Sequence, residues 1–364
     1  MTRAKSPPPS DKPERALRVL IIDDSAAARR ALTKVLELAP GIEVVGKAAD
    51  GEEGLKKALE LQPDVITLDL EMPRMDGYAF LRLLMARAPT PVIVVSSYGH
   101  PSDTFKALQL GAFDFVARPG EGDDAGFAAI RAELIEKLRA APFMRRDERK
   151  PATPAKKKSS TSLPPVPEAP KAEVVQLVLI GASTGGPPAV QSVIECLIGL
   201  PVCVVVAQHM PARFTQAFAE RLDQLLPFRV TEAKTGDPIV AGRVYVAPGG
   251  EQLELDRHGD RLTLEVKMTT PADPHAPSVD RLFASAARHA PPNTRALVLT
   301  GMGADGGKGA ALLKRAGIDV WAEAESTAVV FGMPEAAIKS GAVTRTLPLN
   351  ELGPALARTL KGKG

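Results

Sequence analysis

Three polar residues in the second half of the chain each follow a run of apolar residues: Ser183 in LVLIGASTGG, His209 in VCVVVAQHMP and Asp305 in ALVLTGMGADGG. A hydroxyl, an imidazole and a carboxylate can supply a nucleophile, its general base and the group that orients the base. A second set lies in the first half, where Asp23 and Asp24 close one apolar run, Asp69 another, Ser96 a third and Arg118 a fourth. Clustered carboxylates repel one another and require a cation; with oxygen ligands and no His or Cys nearby, the hard ion Mg2+ fits best. Each residue also has a plainer reading: GASTGG could be only a tight turn, Asp305 only a helix cap, and an acidic pair after a strand only a solvated loop.

Residues this far apart meet only if the fold carries them to one place. An open parallel sheet does so, because the loops at the carboxyl ends of its strands form a common crevice. Residues 17–141 alternate five apolar runs, from RVLIID to DFVARP, with amphipathic helical stretches, which predicts an α/β domain built on a five-stranded parallel sheet. The alternation resumes at VVQLVLI and continues through residues 174–364, predicting a second doubly wound, mostly parallel α/β domain. Within it, residues 244–267 predict a β-hairpin turning at Arg257 to Asp260, and IDVWAEA reads as the last strand. A helix starting near Pro187 would offer free amides and its positive dipole end to an oxyanion beside Ser183, and Thr184 lies in the same turn. Amides near Met302 and Gly303 could add donors, since glycine permits the dihedrals that turn amides inward.

Residues 142–173 hold seven prolines and eight Lys or Arg against four Asp or Glu, with no apolar periodicity. Such a segment buries too little surface to offset its ordering entropy and reads as a tether, as residues 1–16 read as a polar leader. No apolar run approaches the roughly 20 residues needed to cross a bilayer, and the leader has no apolar signal core, so a cytoplasmic protein without membrane insertion is expected. The net charge is +3, of which the tether contributes +4 and the rest of the chain −1, so there is no basic surface for nucleic acid. Cys196 and Cys203 have neither metal-ligand spacing nor a disulfide framework. Of the other histidines, His100 follows a strand, His258 sits at the expected hairpin tip and His289 near a helix end. His275 lies in a Pro-rich loop where substrate contact and simple exposure are both open.

RVLIIDDS, DVITLDLEMPRMDG, PVIVVSS and GAFDFVARP resemble the flavodoxin-like receiver domain of bacterial two-component response regulators across residues 17–140. The resemblance implies that Asp69 accepts a phosphoryl group from a histidine kinase, with Asp23, Asp24, Asp69 and the backbone carbonyl of Glu71 holding Mg2+. It also implies that Ser96 reaches the phosphoryl oxygen and that Phe115 takes the place of the family's rotating aromatic. Where the family carries lysine this chain has Arg118, a planar fork in place of a compact ammonium, which alters the switch geometry. IGASTGG, QHMP, HAPSVDRLF, TGMGADG and ESTAVVFGMPEAA resemble the catalytic domain of the protein-glutamate methylesterases of bacterial chemotaxis, from about Val174 to the end of the chain. That likeness implies Ser183 as nucleophile, His209 as base and Asp305 as orienting acid, with Ser278 and Asp280 lining the substrate cleft. The implied partners are methyl-accepting chemoreceptors and a chemotaxis histidine kinase. A monomer with no cofactor in the esterase domain is expected, and Glu323 stands where relatives often have glutamine.

Two other classes fit less well. A dinucleotide-binding oxidoreductase needs G-x-G-x-x-G, which glycines 181, 185 and 186 do not form, and an acid where the next strand ends in Gln208 and His209. A transcription factor needs a compact basic helix-turn-helix, which the large, nearly neutral second half does not supply.

Overall fold

The structure, a computed structural model, describes residues 15–97, 101–118, 126, 130–143 and 175–362. Most of the leader and tether, and His100, lie outside the described residues, as do the side chains of Ser96 and Arg118.

The first sheet contains β1 (Leu17–Ile22), β2 (Ile42–Ala48), β3 (Val65–Leu68), β4 (Val92–Ser97) and β5 (Asp114–Arg118) in the order β2-β1-β3-β4-β5, all parallel. This is the flavodoxin-like order, and its direction of winding reverses between β1 and β3, which end in Asp23 and Asp69. β1 after Arg18 and β3 apart from Thr67 are apolar because helices cover both faces of the sheet. Ser25, Asp50 and Asp76 each accept a backbone N–H three residues on, so the polar residue that ends a loop also starts the next helix.

The second sheet has seven strands: β6 (Gln176–Ala182), β7 (Val202–Gln208), β8 (Arg229–Glu232), β9 (Arg243–Val246), β12 (Arg295–Val298), β13 (Asp319–Glu323) and β14 (Val343–Leu347). Their order is β14-β13-β12-β6-β7-β9-β8, again all parallel. Alternate residues of β6 enter separate cores: Leu177 and Leu179 face helix Val279–His289, and Val178 and Ile180 face helices Gly186–Glu195 and Leu349–Leu360. All four are fully buried, each contributing about 1.5–3 kcal/mol relative to exposure.

The single hairpin expected from residue 244 divides in two. Arg243–Val246 joins the parallel sheet, and only β10 (Glu251–His258) and β11 (Arg261–Met268) pair antiparallel, around a turn with Gly259 at φ +61°. β8 and β14 were not expected from the sequence: each is a short edge strand, of which β8 buries only Val230 and β14 buries no residue fully. β14 follows IDVWAEA, so that run is not the last strand.

The two sheets share an apolar seam. Phe115 of β5 stacks on Phe214 at 4.6 Å, and Phe105 stacks on Phe218 at 5.4 Å, the latter pair joining helix Pro101–Gln109 to helix Phe214–Leu225. Beside the seam, an open cleft of about 830 Å3 is lined by Arg131, Ile135, Glu136 and Arg139 of the first domain and by Met302 and Val330 of the second.

Gly181, at the end of β6, is required by packing: a Cβ there would lie 2.3 Å from Val279 Cγ1. Gly181→Ala should lower the urea midpoint by an amount equivalent to about 1–3 kcal/mol with an unchanged slope. A wild-type midpoint would mean that Val279 withdraws freely.

Candidate active site

β6 and β12 are neighbours in space but far apart in the chain, so the second sheet reverses its winding between them. Ser183 follows β6, His209 follows β7 on one side, and Asp305 lies in the loop after β12 on the other. The crevice expected of this fold is therefore where the three residues lie.

Backbone hydrogen bonds fix the turn that carries Ser183. Its N–H donates to Thr300 O at 3.0 Å, and its carbonyl accepts from Gly186 N at 2.8 Å and from Gln208 Nε2 at 2.8 Å. Gly185, in the left-handed region at φ +75°, turns the chain into the helix, and Gly186 leaves room for Gln208, whose Oε1 would lie 2.0 Å from a Cβ. Gly301 approaches so closely that a Cβ would sit 2.8 Å from Ser183 Cβ. The amide of His209 donates to Ala182 O at 3.0 Å, and Gln208 Nε2 also donates to His209 O. One buried amide side chain thus ties the backbones of nucleophile and base together.

His209 Nε2 lies 2.7 Å from Asp305 Oδ2, which leaves Nδ1 as the ring nitrogen for Ser183. Among the described residues no hydrogen bond joins the Ser183 hydroxyl to the imidazole; such contacts often tighten only when substrate binds. Asp305 is buried and surrounded by donors. Oδ2 also accepts from Val279 N at 2.7 Å, and Oδ1 accepts from Asp280 N at 2.8 Å, Ser278 Oγ at 3.0 Å and Gly306 N at 3.1 Å. Its carboxylate therefore sits on the N-terminus of helix Val279–His289, where amides and the helix dipole favour negative charge. Asp280 answers it: Oδ1 accepts from Gly306 N and Gly309 N at the start of helix Gly307–Arg315.

Burial works to raise the Asp305 pKa, but the hydrogen bond and charge of His209 and the amides of Asp280 and Val279 outweigh it and bring it down to about 2. For Asp280 burial dominates and pushes the pKa up, against the pull of the Gly309 amide.

Ser278 and Asp280, expected along the substrate cleft, are engaged in this support. Ser278 is buried and gives its hydroxyl to Asp305, and the Asp280 carboxylate caps the neighbouring helix. Thr184 is buried too, with its carbonyl held by Thr300 Oγ1 at 2.9 Å. Among the described residues the amides of Met302 and Gly303 have no acceptor within the protein, and Gly303 has φ +80°. Glu323 is buried, accepting from Thr300 N at 2.8 Å through Oε2 and from Thr327 Oγ1 at 3.0 Å through Oε1. A glutamine would accept from Thr300 N through its carbonyl oxygen and would meet the Thr327 hydroxyl with its amide N–H, reversing the direction of that bond. Gln208, Thr300 and Gln252 were not singled out by sequence reasoning; Gln208 had a signal, a polar residue completing a buried strand directly before His209.

In the first domain, carboxylate oxygens of Asp23, Asp24 and Asp69 lie within 4.8 Å of one another, the first and last buried. The Leu70 amide donates to Asp69 Oδ1 at 2.8 Å, and Arg29 Nη1 donates to the carbonyls of Asp23 and Asp24. Phe115 is buried in the seam, and Lys137 lies 5.2 Å from its ring centre. Arg118 ends β5 and Ser96 is the last residue but one of the neighbouring β4, with Ser96 paired to Ala117 and Ser97 to Arg118.

A flavodoxin-like sheet with an acidic pocket, joined to a parallel α/β domain with hydroxyl, imidazole and carboxylate at one rim, defines the class of receiver-linked α/β hydrolases. Residues 19–128 match the response regulator receiver domain and residues 178–356 the CheB methylesterase family. The chain is 54% identical to protein-glutamate methylesterase/protein-glutamine glutaminase 1 of Myxococcus xanthus, over 94% of this chain and 96% of that protein. A second such protein, number 3 of Geobacter sulfurreducens, is 45% identical over 93% of this chain and 96% of its own length. The crystal structure of the Thermotoga maritima CheB methylesterase catalytic domain is 37% identical and covers 51% of this chain and 100% of that one, with a TM-score of 0.49. The chain belongs to the CheB methylesterase family.

Because the folded-state pKa of Asp305 is depressed, its ionisation stabilises the fold above the ordinary value near 3.8, and that stability is lost as pH falls through about 2. Asp305→Asn should therefore be less stable than wild type at pH 7 by on the order of 2 kcal/mol, with the gap closing as urea titrations move from pH 4 toward pH 2. A gap that stays constant over that range would show that the carboxylate charge is not what the site stabilises.

Proposed function

We propose that this protein hydrolyses the methyl esters of glutamate side chains on chemoreceptors, and deamidates glutamines there, under the control of phosphorylation at Asp69 by a chemotaxis histidine kinase. The observation that carries this reading is the His209–Asp305 pair at 2.7 Å, anchored at the rim where Ser183 turns into its helix. Ser183 Oγ attacks the ester carbonyl while His209 takes its proton at Nδ1, and the imidazolium is stabilised by Asp305 across the ring. His209 then returns the proton to the departing methoxide, releasing methanol. Water, activated by the same imidazole, cleaves the glutamyl ester on Ser183 and frees the carboxylate. The amides of Met302 and Gly303, without an acceptor among the described residues, would donate to the oxyanion of both tetrahedral intermediates. With a glutamine substrate the same steps release ammonia.

The receiver half supports the regulatory part. Asp23, Asp24 and Asp69 form an all-oxygen donor set, and with the backbone carbonyl of Glu71 they would hold Mg2+, which when bound offsets the charge of an incoming phosphoryl group. β5 carries Phe115 into the seam with Phe214 and ends at Arg118, so a change at the phosphate pocket has a direct mechanical route to the hydrolase surface. Asp114, next to Phe115, is buried against the second domain: burial raises its pKa, while Lys137, the Phe115 amide and the Thr184 hydroxyl pull it down. Phosphorylation adds about −1.5 to −2 charges and shifts the population toward a separated, open form.

Ser183→Ala should reduce methanol release from methylated receptor by roughly 10^4-fold or more; a variant as active as wild type would remove the serine from the mechanism. Asp69→Asn should abolish stimulation by a small-molecule phosphodonor with Mg2+, and equal stimulation of variant and wild type would rule out Asp69 as the acceptor. Phe214→Ala, which removes one ring of the seam, should raise the activity of the unphosphorylated full-length protein several-fold; unchanged or lower basal activity would count against restraint by the receiver.

A further inference from the structure

His275 takes no part in the mechanism above, yet its ring lies parallel to that of His209, with centres 4.4 Å apart and planes inclined by 14°. We propose that His275 is a positioning residue: its flat face walls one side of the base and holds the imidazole in the plane that joins Asp305 to Ser183. This rests on the reading of His209 as the general base.

The loop that presents His275 is held at several points. Gln252, fully buried on β10, donates from Nε2 to the His275 carbonyl at 2.6 Å and accepts the Ser278 amide at Oε1 at 2.9 Å. The Gly250 amide donates to Ala276 O at 3.0 Å. Upstream, Asp273 caps Thr270 and is gripped by Arg281, whose guanidinium also binds the buried Glu254 at 2.6 Å. The hairpin insertion thus acts as a brace for five residues that begin with His275 beside the base and end with the helix start beneath Asp305. The hydrogen bond to Asp305 fixes one nitrogen of His209 but leaves the ring free to swing about that contact; a rigid flat wall against its face removes the swing. Burial and then the neighbouring His209 lower the pKa of His275, so at neutral pH the wall is an uncharged ring that does not repel the imidazolium formed during reaction.

The chemistry asks for a planar ring at residue 275, not for a proton or a donor. The test uses full-length protein with phosphodonor and labelled methylated receptor. His275→Ala should lower kcat by roughly 10- to 100-fold, the scale of a misplaced catalytic group, with a much smaller change in KM, and His275→Phe should recover most of the loss. Urea midpoints for both variants separate a local effect from unfolding. Wild-type kcat in His275→Ala, or a Phe variant as slow as the Ala variant at equal stability, would overturn the proposal. Ser183→Ala run alongside keeps the two readings apart. If that variant is as active as wild type, the serine mechanism itself fails; if it is inactive while His275→Ala is unimpaired, only the positioning role fails.

Discussion

The site is organised around a charge that would be costly to bury alone. Asp305 is an ionised carboxylate at the interior end of a parallel sheet, and removing such a group from water costs several kcal/mol unless donors replace the lost hydration. Here the replacement is the start of a helix, two backbone amides and a capping hydroxyl, together with the Gly306 amide and the imidazole of His209. The position of the helix follows from that need. So does the presence of Ser278 and Asp280: the serine completes the shell around the carboxylate, and Asp280 repeats the arrangement one helix further on. Two helices each receive a carboxylate from the segment that begins the other, which locks their relative placement and with it the direction in which His209 is held.

Much of this architecture was legible in the chain because its signals are local. Apolar runs of strand length leading to Ser183, His209, Asp305, Asp23 and Asp69 mark both the strands and the rim to which they lead, since parallel strands buried on both faces carry few polar residues until they emerge. What could not be read depends on contacts between distant segments. Only the family resemblance placed Ser278 and Asp280 along the substrate cleft; that a carboxylate some 25 residues away accepts from both is a tertiary fact. β8 and β14 escaped notice because edge strands bury little and show weak periodicity. The division of the expected hairpin has the same origin, since VYVA looks the same whether its partner runs parallel or antiparallel.

The two halves of the molecule are joined by apolar contact more than by charge. Phe105 and Phe115 from the first sheet and Phe214 and Phe218 from one helix of the second domain make a stacked aromatic seam, and the buried residues of both domains merge into one cluster across it. Apolar contacts of this kind are non-directional and separate without leaving unpaired polar groups behind. Phe115 sits on β5 beside the first domain's core, so a single ring belongs both to that core and to the contact.

The seam also limits how such a protein can be rebuilt. A foreign signalling module grafted ahead of this hydrolase would keep its own phosphate chemistry but would meet Phe214 and Phe218 with whatever surface it happened to bring. If the receiver restrains the hydrolase as proposed, a graft without two rings at matching height would leave the catalytic half unguarded, and compatibility between the halves would lie in these aromatic side chains.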